Sequence, residues 1–140
     1  MTSKRIPLIV LLVILMAVPA AAGNTQKRNA ALVSAGKWLR LIDSGKYGES
    51  WNEAAEFFRN SVSREQWSQS LMSVRKPLGR LISRKVKTKT YTTSLPGAPD
   101  GEYVVIQFKT SFEYKQSAIE TVAPMIEGDG KWRVSGYYIK

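Results

Sequence analysis

The chain has 140 residues, with 21 basic and 11 acidic side chains and a formal charge of +10, and it has no cysteine and no histidine. This composition excludes disulfide bridges, zinc sites of the usual Cys/His kind, thiol nucleophiles and imidazole bases. We therefore expect no metal and no cofactor. Apolar residues make up 44% of the chain and aromatic residues 10%, which predicts a folded domain with its own core rather than a disordered chain.

The first 22 residues have the three-part layout of a secretory signal peptide. Lys4–Arg5 precedes an apolar run over residues 6–18, and small residues lead to a predicted cleavage between Ala22 and Gly23. The alternative is an uncleaved membrane anchor, but the run is shorter than the roughly 20 residues that cross a bilayer. We expect a periplasmic or secreted protein without a transmembrane span in its mature form. Residues 23–140 would form one domain, with a core that begins near residue 29.

Up to Pro77, apolar residues recur at helical spacing. The pattern predicts three helices, which span Asn29–Ser44, Tyr47–Asn60 and Arg64–Arg75. The third helix has the clearest local signal, a capping box in which Ser63 and Gln66 satisfy each other's backbone amides.

After Pro77, β-branched and aromatic runs are separated by glycine and proline, which predicts strands. Four are expected: Leu81–Thr93, Glu102–Tyr114, Ala118–Glu127 and Trp132–Ile139. In the second strand, the alternating set that runs from Val104 to Phe112 is the better core face. Three helices on one face of a curved four-stranded antiparallel sheet make an α+β fold. By analogy, this order of elements suggests a cystatin-like or NTF2-like domain.

Several motifs of the mature chain together resemble the bacterial domain-of-unknown-function 4019 family. In order along the chain, they are Trp38-Leu39-x-Leu41-Ile42-Asp43-x-Gly45-x-Tyr47-x-x-Ser50-Trp51, Arg75-x-Pro77-Leu78-Gly79, Ser94-Leu95-Pro96-Gly97-x-Pro99-Asp100-Gly101-Glu102-Tyr103, Glu120-Thr121-Val122 and Asp129-Gly130-x-Trp132-Arg133-Val134-x-Gly136-Tyr137-Tyr138. The resemblance covers about residues 29–140. It implies an exported bacterial protein and no established activity.

One candidate functional feature is a basic stretch without any acidic residue, which includes Arg84, Lys85, Lys87 and Lys89. The three lysines lie two apart, so we expect them on one face of the first strand. They would form a docking surface for an anionic envelope polymer or a membrane surface. The alternative is a solvated face or a charged edge that deters pairing between sheets. Nucleic acid is not an expected partner, because export separates the protein from it and no aromatic residue interleaves with the lysines.

A second candidate is Glu120 in the third strand. In one register it faces the helices, where it would need a partner such as Arg75 and could act as a general base or hold a ligand. In the other register it lies in water, and the apolar pattern does not choose between them. Arg75, Tyr103 and Glu120 are therefore candidate ligand-binding residues of a cleft between helices and sheet.

Three functions remain open at this level. The first is a non-catalytic envelope protein that binds a small ligand or an anionic partner. The second is a small hydrolase or isomerase that uses Glu120, although one carboxylate without a second acid, histidine, cysteine or metal is a weak basis for catalysis. The third is an assembly module that forms a homodimer or pairs with another envelope protein.

Overall fold

A computed structural model describes the backbone of residues 20–140 and the side chains from residue 23 onward. The described part folds into helices followed by a sheet, as the α+β prediction requires. The helices are α1 (Ala20–Asp43), α2 (Tyr47–Asn52), α3 (Glu56–Ser61) and α4 (Arg64–Val74), and a 3₁₀ turn covers Lys76–Leu78. The strands are β1 (Leu81–Thr92), β2 (Tyr103–Phe112), β3 (Lys115–Ile126) and β4 (Trp132–Ile139).

The first helix begins earlier than predicted. Its described part starts at Ala20 rather than Asn29 and contains the predicted cleavage position between Ala22 and Gly23. Lys27, in this added part, donates to Glu102 at 2.5 Å and lies over the ring of Tyr91. Contacts with the sheet therefore begin before residue 29. The rest of the predicted signal peptide, residues 1–19, lies outside the described residues.

The predicted second helix, Tyr47–Asn60, is in fact two helices. The first of them ends at Asn52, and Ala55, just before the second, has an extended backbone with φ −61° and ψ 150°. The reason is a contact with a distant strand, because the Ala55 amide donates to the carbonyl of Val134 in β4 at 2.8 Å. A local periodicity cannot reveal such a contact.

The predicted capping box of the last helix is confirmed. The Ser63 hydroxyl accepts from the Gln66 amide at 3.1 Å, and the Gln66 side chain accepts from the Ser63 amide at 3.1 Å. This arrangement satisfies two backbone donors that the first turn of a helix otherwise leaves free.

The four strands form one antiparallel sheet in the order β1-β2-β3-β4. The register is irregular in β1, where the pairing with β2 shifts between Val86 and Thr88. Helices cover one face of the sheet, and the core lies between them. The predicted core face of β2 is confirmed, since the five residues of that set are all buried: Val104, Ile106, Phe108, Thr110 and Phe112.

Four further aromatic side chains meet at the centre of this core. Trp67 packs edge-on against Phe58 and stacks on Trp38, with ring centroids 4.8 and 6.1 Å away, and Tyr137 contacts both indoles. Between residues 20 and 140, no helix combines the length and the apolar character needed to cross a membrane. The likeness to cystatin-like or NTF2-like domains stays a prediction.

Candidate functional site

Glu120 lies on the face of β3 that points toward the helices. Its neighbours at positions 118 and 122 are also buried, and Glu120 itself is 0% exposed. Of the two registers that the sequence allows, the inward one is therefore correct. A charged carboxylate in this position must be paired and hydrogen-bonded, because burial of an isolated charge is strongly unfavourable.

Both oxygens of Glu120 accept from neighbouring side chains. Oε1 accepts from the Arg84 Nε at 2.7 Å and from the Thr110 hydroxyl at 2.6 Å. Oε2 accepts from the Tyr137 hydroxyl at 2.5 Å and from the Arg84 Nη2 at 3.2 Å. These four donors come from three strands, so the carboxylate is saturated by the sheet itself.

Arg84 connects Glu120 to a second carboxylate on α1. Its Nη1 and Nη2 donate to the two oxygens of Asp43 at 2.8 and 2.9 Å, in the bidentate geometry that a guanidinium favours. Arg75 then donates to Asp43 at 3.3 Å and to the Gly79 carbonyl at 2.7 Å, and it lies 4.3 Å from the Phe112 ring centroid. Two arginines and two carboxylates thus form one neutral cluster, which we call the ionic cluster.

The ionic cluster changes the acidity of its members. Burial alone would lower the pKa of Arg84, but hydrogen bonds to Asp43 and Glu120 outweigh it, and the pKa of Arg84 is raised. Burial raises the pKa of the Tyr137 hydroxyl strongly, and the charge of Glu120 and its hydrogen bond to the hydroxyl add to the shift. Both groups therefore keep their protons and act as donors.

This arrangement leaves Glu120 no free oxygen with which to accept a proton from a substrate. A general base must reach the proton that it abstracts, directly or through one water. Here one of the donors, Arg84, Thr110 or Tyr137, would have to leave first, which would cost the buried carboxylate a hydrogen bond. Among the described residues, no group of three or more acidic side chains, cysteines or histidines is placed to hold a metal ion.

The three candidate cleft residues do not form one site. Arg75 and Glu120 belong to the same ionic cluster, although they are linked through Asp43 and Arg84 rather than directly. Tyr103 is fully buried elsewhere, and its hydroxyl donates to the Pro99 carbonyl at 2.6 Å. Burial raises the pKa of Tyr103, and the charge of Asp100 adds to the shift.

The ionic cluster comes near the surface at a hollow of about 360 Å³. Asp43, Arg75 and Lys76 line this hollow together with apolar side chains. The Arg75 Nε is buried and has no hydrogen-bond partner among the described residues. Both oxygens of Asp43 already accept from arginines, so the carboxylate that lines this hollow is engaged within the ionic cluster.

The basic stretch of β1 has a different geometry from the predicted line of charge. Arg84 points inward into the ionic cluster, whereas Lys85 lies opposite Lys109 on the outer face. The shift after Val86 then places Lys89 opposite the buried Ile106, and its ammonium donates to Asn29 of α1 at 3.0 Å. Lys85 and Lys89 therefore lie on opposite faces, and Arg84 is not part of a basic surface.

A smaller basic surface remains on the outer face, which we call the outer patch. It consists of Lys85, Lys109, Ser83, Ser111 and Ser117, which line a hollow of about 330 Å³ to which no acidic residue contributes. Ser83 is paired with Ser111, and Lys85 with Lys109, in neighbouring positions of the register. Lysines directly opposite on adjacent strands have Cβ atoms about 5 Å apart, so two ammonium groups can reach one anion.

Sequence reasoning missed several of these residues because no local signal in the sequence marks them. The arginine partners of Asp43 are 32 and 41 positions away in the chain, and Lys109 and the serines carry no motif. The alternation of β2 did place Thr110 inward and Lys109 outward, which is the signal from which the outer patch could have been found.

No curated protein is significantly similar to the chain. The match to a protein family, in contrast, covers most of its length and agrees with the resemblance of the sequence motifs. Residues 34–137 match the family described as proteins of unknown function, DUF4019, and the chain therefore belongs to that family.

Proposed function

We propose that the protein is an exported, non-catalytic component of the bacterial envelope that docks on an anionic membrane surface through the outer patch. Export is supported by the basic residues, the apolar run over residues 6–18 and the small residues before Gly23. A non-catalytic role is supported by Glu120, whose two oxygens are both engaged by donors in the core.

The observation that carries the docking proposal is the pair of lysines Lys85 and Lys109. They lie directly opposite each other, both are exposed, and neither side chain has a hydrogen-bond or ion-pair partner among the described residues. Like charges directly opposite on adjacent strands destabilise a sheet. An anion such as a lipid phosphate would remove this repulsion, and the serine hydroxyls beside the lysines would add hydrogen bonds to it.

Exposed apolar side chains at the same end of the sheet favour a membrane over a soluble polymer. Tyr114, in the turn between β2 and β3, is 75% exposed, and Ile82, near the start of β1, is 58% exposed. Lys115 follows Tyr114 in the chain. Cationic groups beside aromatic and aliphatic side chains suit the boundary between lipid headgroups and acyl chains.

The test is co-sedimentation of the processed protein with vesicles. Phosphatidylglycerol vesicles should bind it, neutral phosphatidylcholine vesicles should not, and added salt should weaken the binding. Each lysine near an anionic surface contributes about 1 kcal/mol, so the double variant Lys85→Gln/Lys109→Gln should bind roughly 30-fold more weakly. The matched control is Lys37→Gln/Lys131→Gln, which removes the same charge elsewhere and should bind nearly as well as the native protein.

Two further results would refute parts of the proposal. Equal weakening by both double variants would show that only net charge matters. Binding to soluble polyphosphate but not to vesicles would identify a polymer instead of a membrane.

Export is tested separately, by the intact mass of the protein in the periplasmic fraction, which should correspond to a chain that begins at Gly23. A cytosolic chain that retains residues 1–22 would contradict it.

A further inference from the structure

A third hollow, which we call the groove, lies between α1 and β4 and shares no lining residue with the outer patch. It has a volume of about 460 Å³, within the range of pockets that hold small ligands. Its apolar walls include Val33 and Leu41 from α1 and Trp132 from β4. The Ser34 hydroxyl donates to the Trp132 carbonyl at 2.6 Å, which ties the two walls together.

The apolar wall of this groove is unusually open to solvent. Val33 is 59% exposed, although it lies on a helix whose other apolar residues are largely packed against the core. Trp132 is half-buried, and its indole N–H has no hydrogen-bond partner among the described residues. An exposed aliphatic side chain facing an accessible indole offers a ligand both apolar contact and one hydrogen-bond donor.

The charged rim of the groove determines what kind of ligand it suits. Lys37 and Lys131 line it, and the side chains of both lack ion pairs and hydrogen bonds within residues 20–140. Arg133 also lines the groove, but its guanidinium is paired with Asp129 and Glu127 through contacts of 2.6 to 3.0 Å. The charged side chains of the lining that remain unpaired are two lysines and one acid, Glu53, so the free ammonium groups of Lys37 and Lys131 are the groups at the rim that can hold an acidic group.

We propose that this groove is a binding site for a small amphipathic anion, with an apolar body and one acidic group. The apolar body would lie along Val33, Leu41 and Trp132, and the acidic group would be held by Lys37 and Lys131. This proposal is independent of membrane docking, because the two sites share no residue and lie on different parts of the fold.

The experiment is a titration of the processed protein with sodium laurate below its micellar concentration. The ¹H–¹⁵N spectrum resolves one indole signal for each of the four tryptophans, and Trp132→Phe identifies the signal of residue 132. Laurate should shift this signal saturably, whereas the neutral analogue dodecanol should bind at least 10-fold more weakly. Lys37→Gln/Lys131→Gln should weaken laurate binding about 10-fold or more.

The control is the outer-patch variant Lys85→Gln/Lys109→Gln, which should bind laurate as the native protein does. Equal binding of laurate to both double variants, or equal binding of laurate and dodecanol, would overturn the proposal. A Trp132 signal that moves with protein concentration alone would assign the groove to a second copy of the chain and would also overturn it. Because the indole signal of Trp132 reports on the groove itself, the outcome of the laurate titration does not depend on whether the protein binds vesicles.

Discussion

The Arg84→Met substitution removes the cation that lies between two buried carboxylates. Methionine is uncharged and matches the aliphatic stem of arginine but lacks the guanidinium, so the change keeps most of the apolar contact of the side chain. It deletes four charge-assisted hydrogen bonds, two to Glu120 and two to Asp43, at 2.7 to 3.2 Å. Glu120 would keep the hydroxyls of Thr110 and Tyr137, and Asp43 would keep Arg75.

The expected loss in the free energy of unfolding depends on which carboxylate is left without a charged partner. Breaking a buried ion pair from one side costs about 3–5 kcal/mol, because the remaining charge stays buried. Glu120 is 0% exposed and keeps only neutral donors, so it should carry most of the penalty. Asp43 is partly exposed and keeps a guanidinium, so its contribution should be small. A loss of about 3 kcal/mol would be a large fraction of the 5–15 kcal/mol that typically stabilises a domain.

Urea denaturation, monitored by tryptophan fluorescence, measures this loss of stability. The double variant Arg84→Met/Glu120→Gln removes both charges and should recover about half of it, so the two substitutions should not be additive. A loss below about 1 kcal/mol at pH 7, or strict additivity, would refute the assignment of the ionic cluster.

Three further predictions concern parts of the fold outside the ionic cluster. Ser50→Ala should lower the free energy of unfolding in urea by about 1–3 kcal/mol. The buried Trp67 indole donates to the Ser50 hydroxyl at 2.9 Å and would lose its partner. A neutral effect would contradict this bond. Ser63→Ala should cost about 1 kcal/mol through loss of the helix cap, and an unchanged denaturation midpoint would count against the cap. A hydrogen bond from Arg133 lowers the pKa of Asp129 to about 2, so Arg133→Met should return it toward 3.8 in an NMR titration. The stability that this pair adds is present above pH 4 and is lost as the pH falls toward 2, and an unmoved pKa would exclude the pair.

The fold was predictable where local periodicity decides it. The start of the last helix agrees with the structure because the capping box marks it in the sequence. The start of β4 agrees as well, because the turn residues Gly128-Asp129-Gly130 precede it. The division of the second helix was not predictable. It depends on a hydrogen bond between Ala55 and Val134, which come together only in the folded chain.

The candidate site was still harder to predict, because its contacts also join residues that are distant in the chain. Arg84 lies in a run of basic residues, and its local context indicates a solvated side chain. Its carboxylate partners are 36 and 41 positions away, so nothing near it in the sequence predicts that it points inward. The face of Lys89 was also misjudged, because strict alternation fails where the strand pairing shifts after Val86.

The ionic cluster and the outer patch are coupled through adjacent residues of β1. Arg84 points to the core and Lys85 to the outer face, and a slip of one residue would exchange them. A lysine at position 84 cannot hold two carboxylates with a planar fork as arginine does. The bidentate contacts of Arg84 therefore select the register that places Lys85 opposite Lys109.

The swapped variant Arg84→Lys/Lys85→Arg tests this coupling, because it has the same composition and net charge as the native chain. It should be less stable by about 2 kcal/mol, since charged hydrogen bonds at the buried position are lost. In its folded fraction, the guanidinium introduced at position 85 should still bind anionic vesicles if the native register persists. Amide exchange in β1 should nevertheless become faster, because the inward residue no longer secures the strand. Native stability together with native exchange would show that the position of the guanidinium is unimportant, and that something other than the ionic cluster sets the register of this strand.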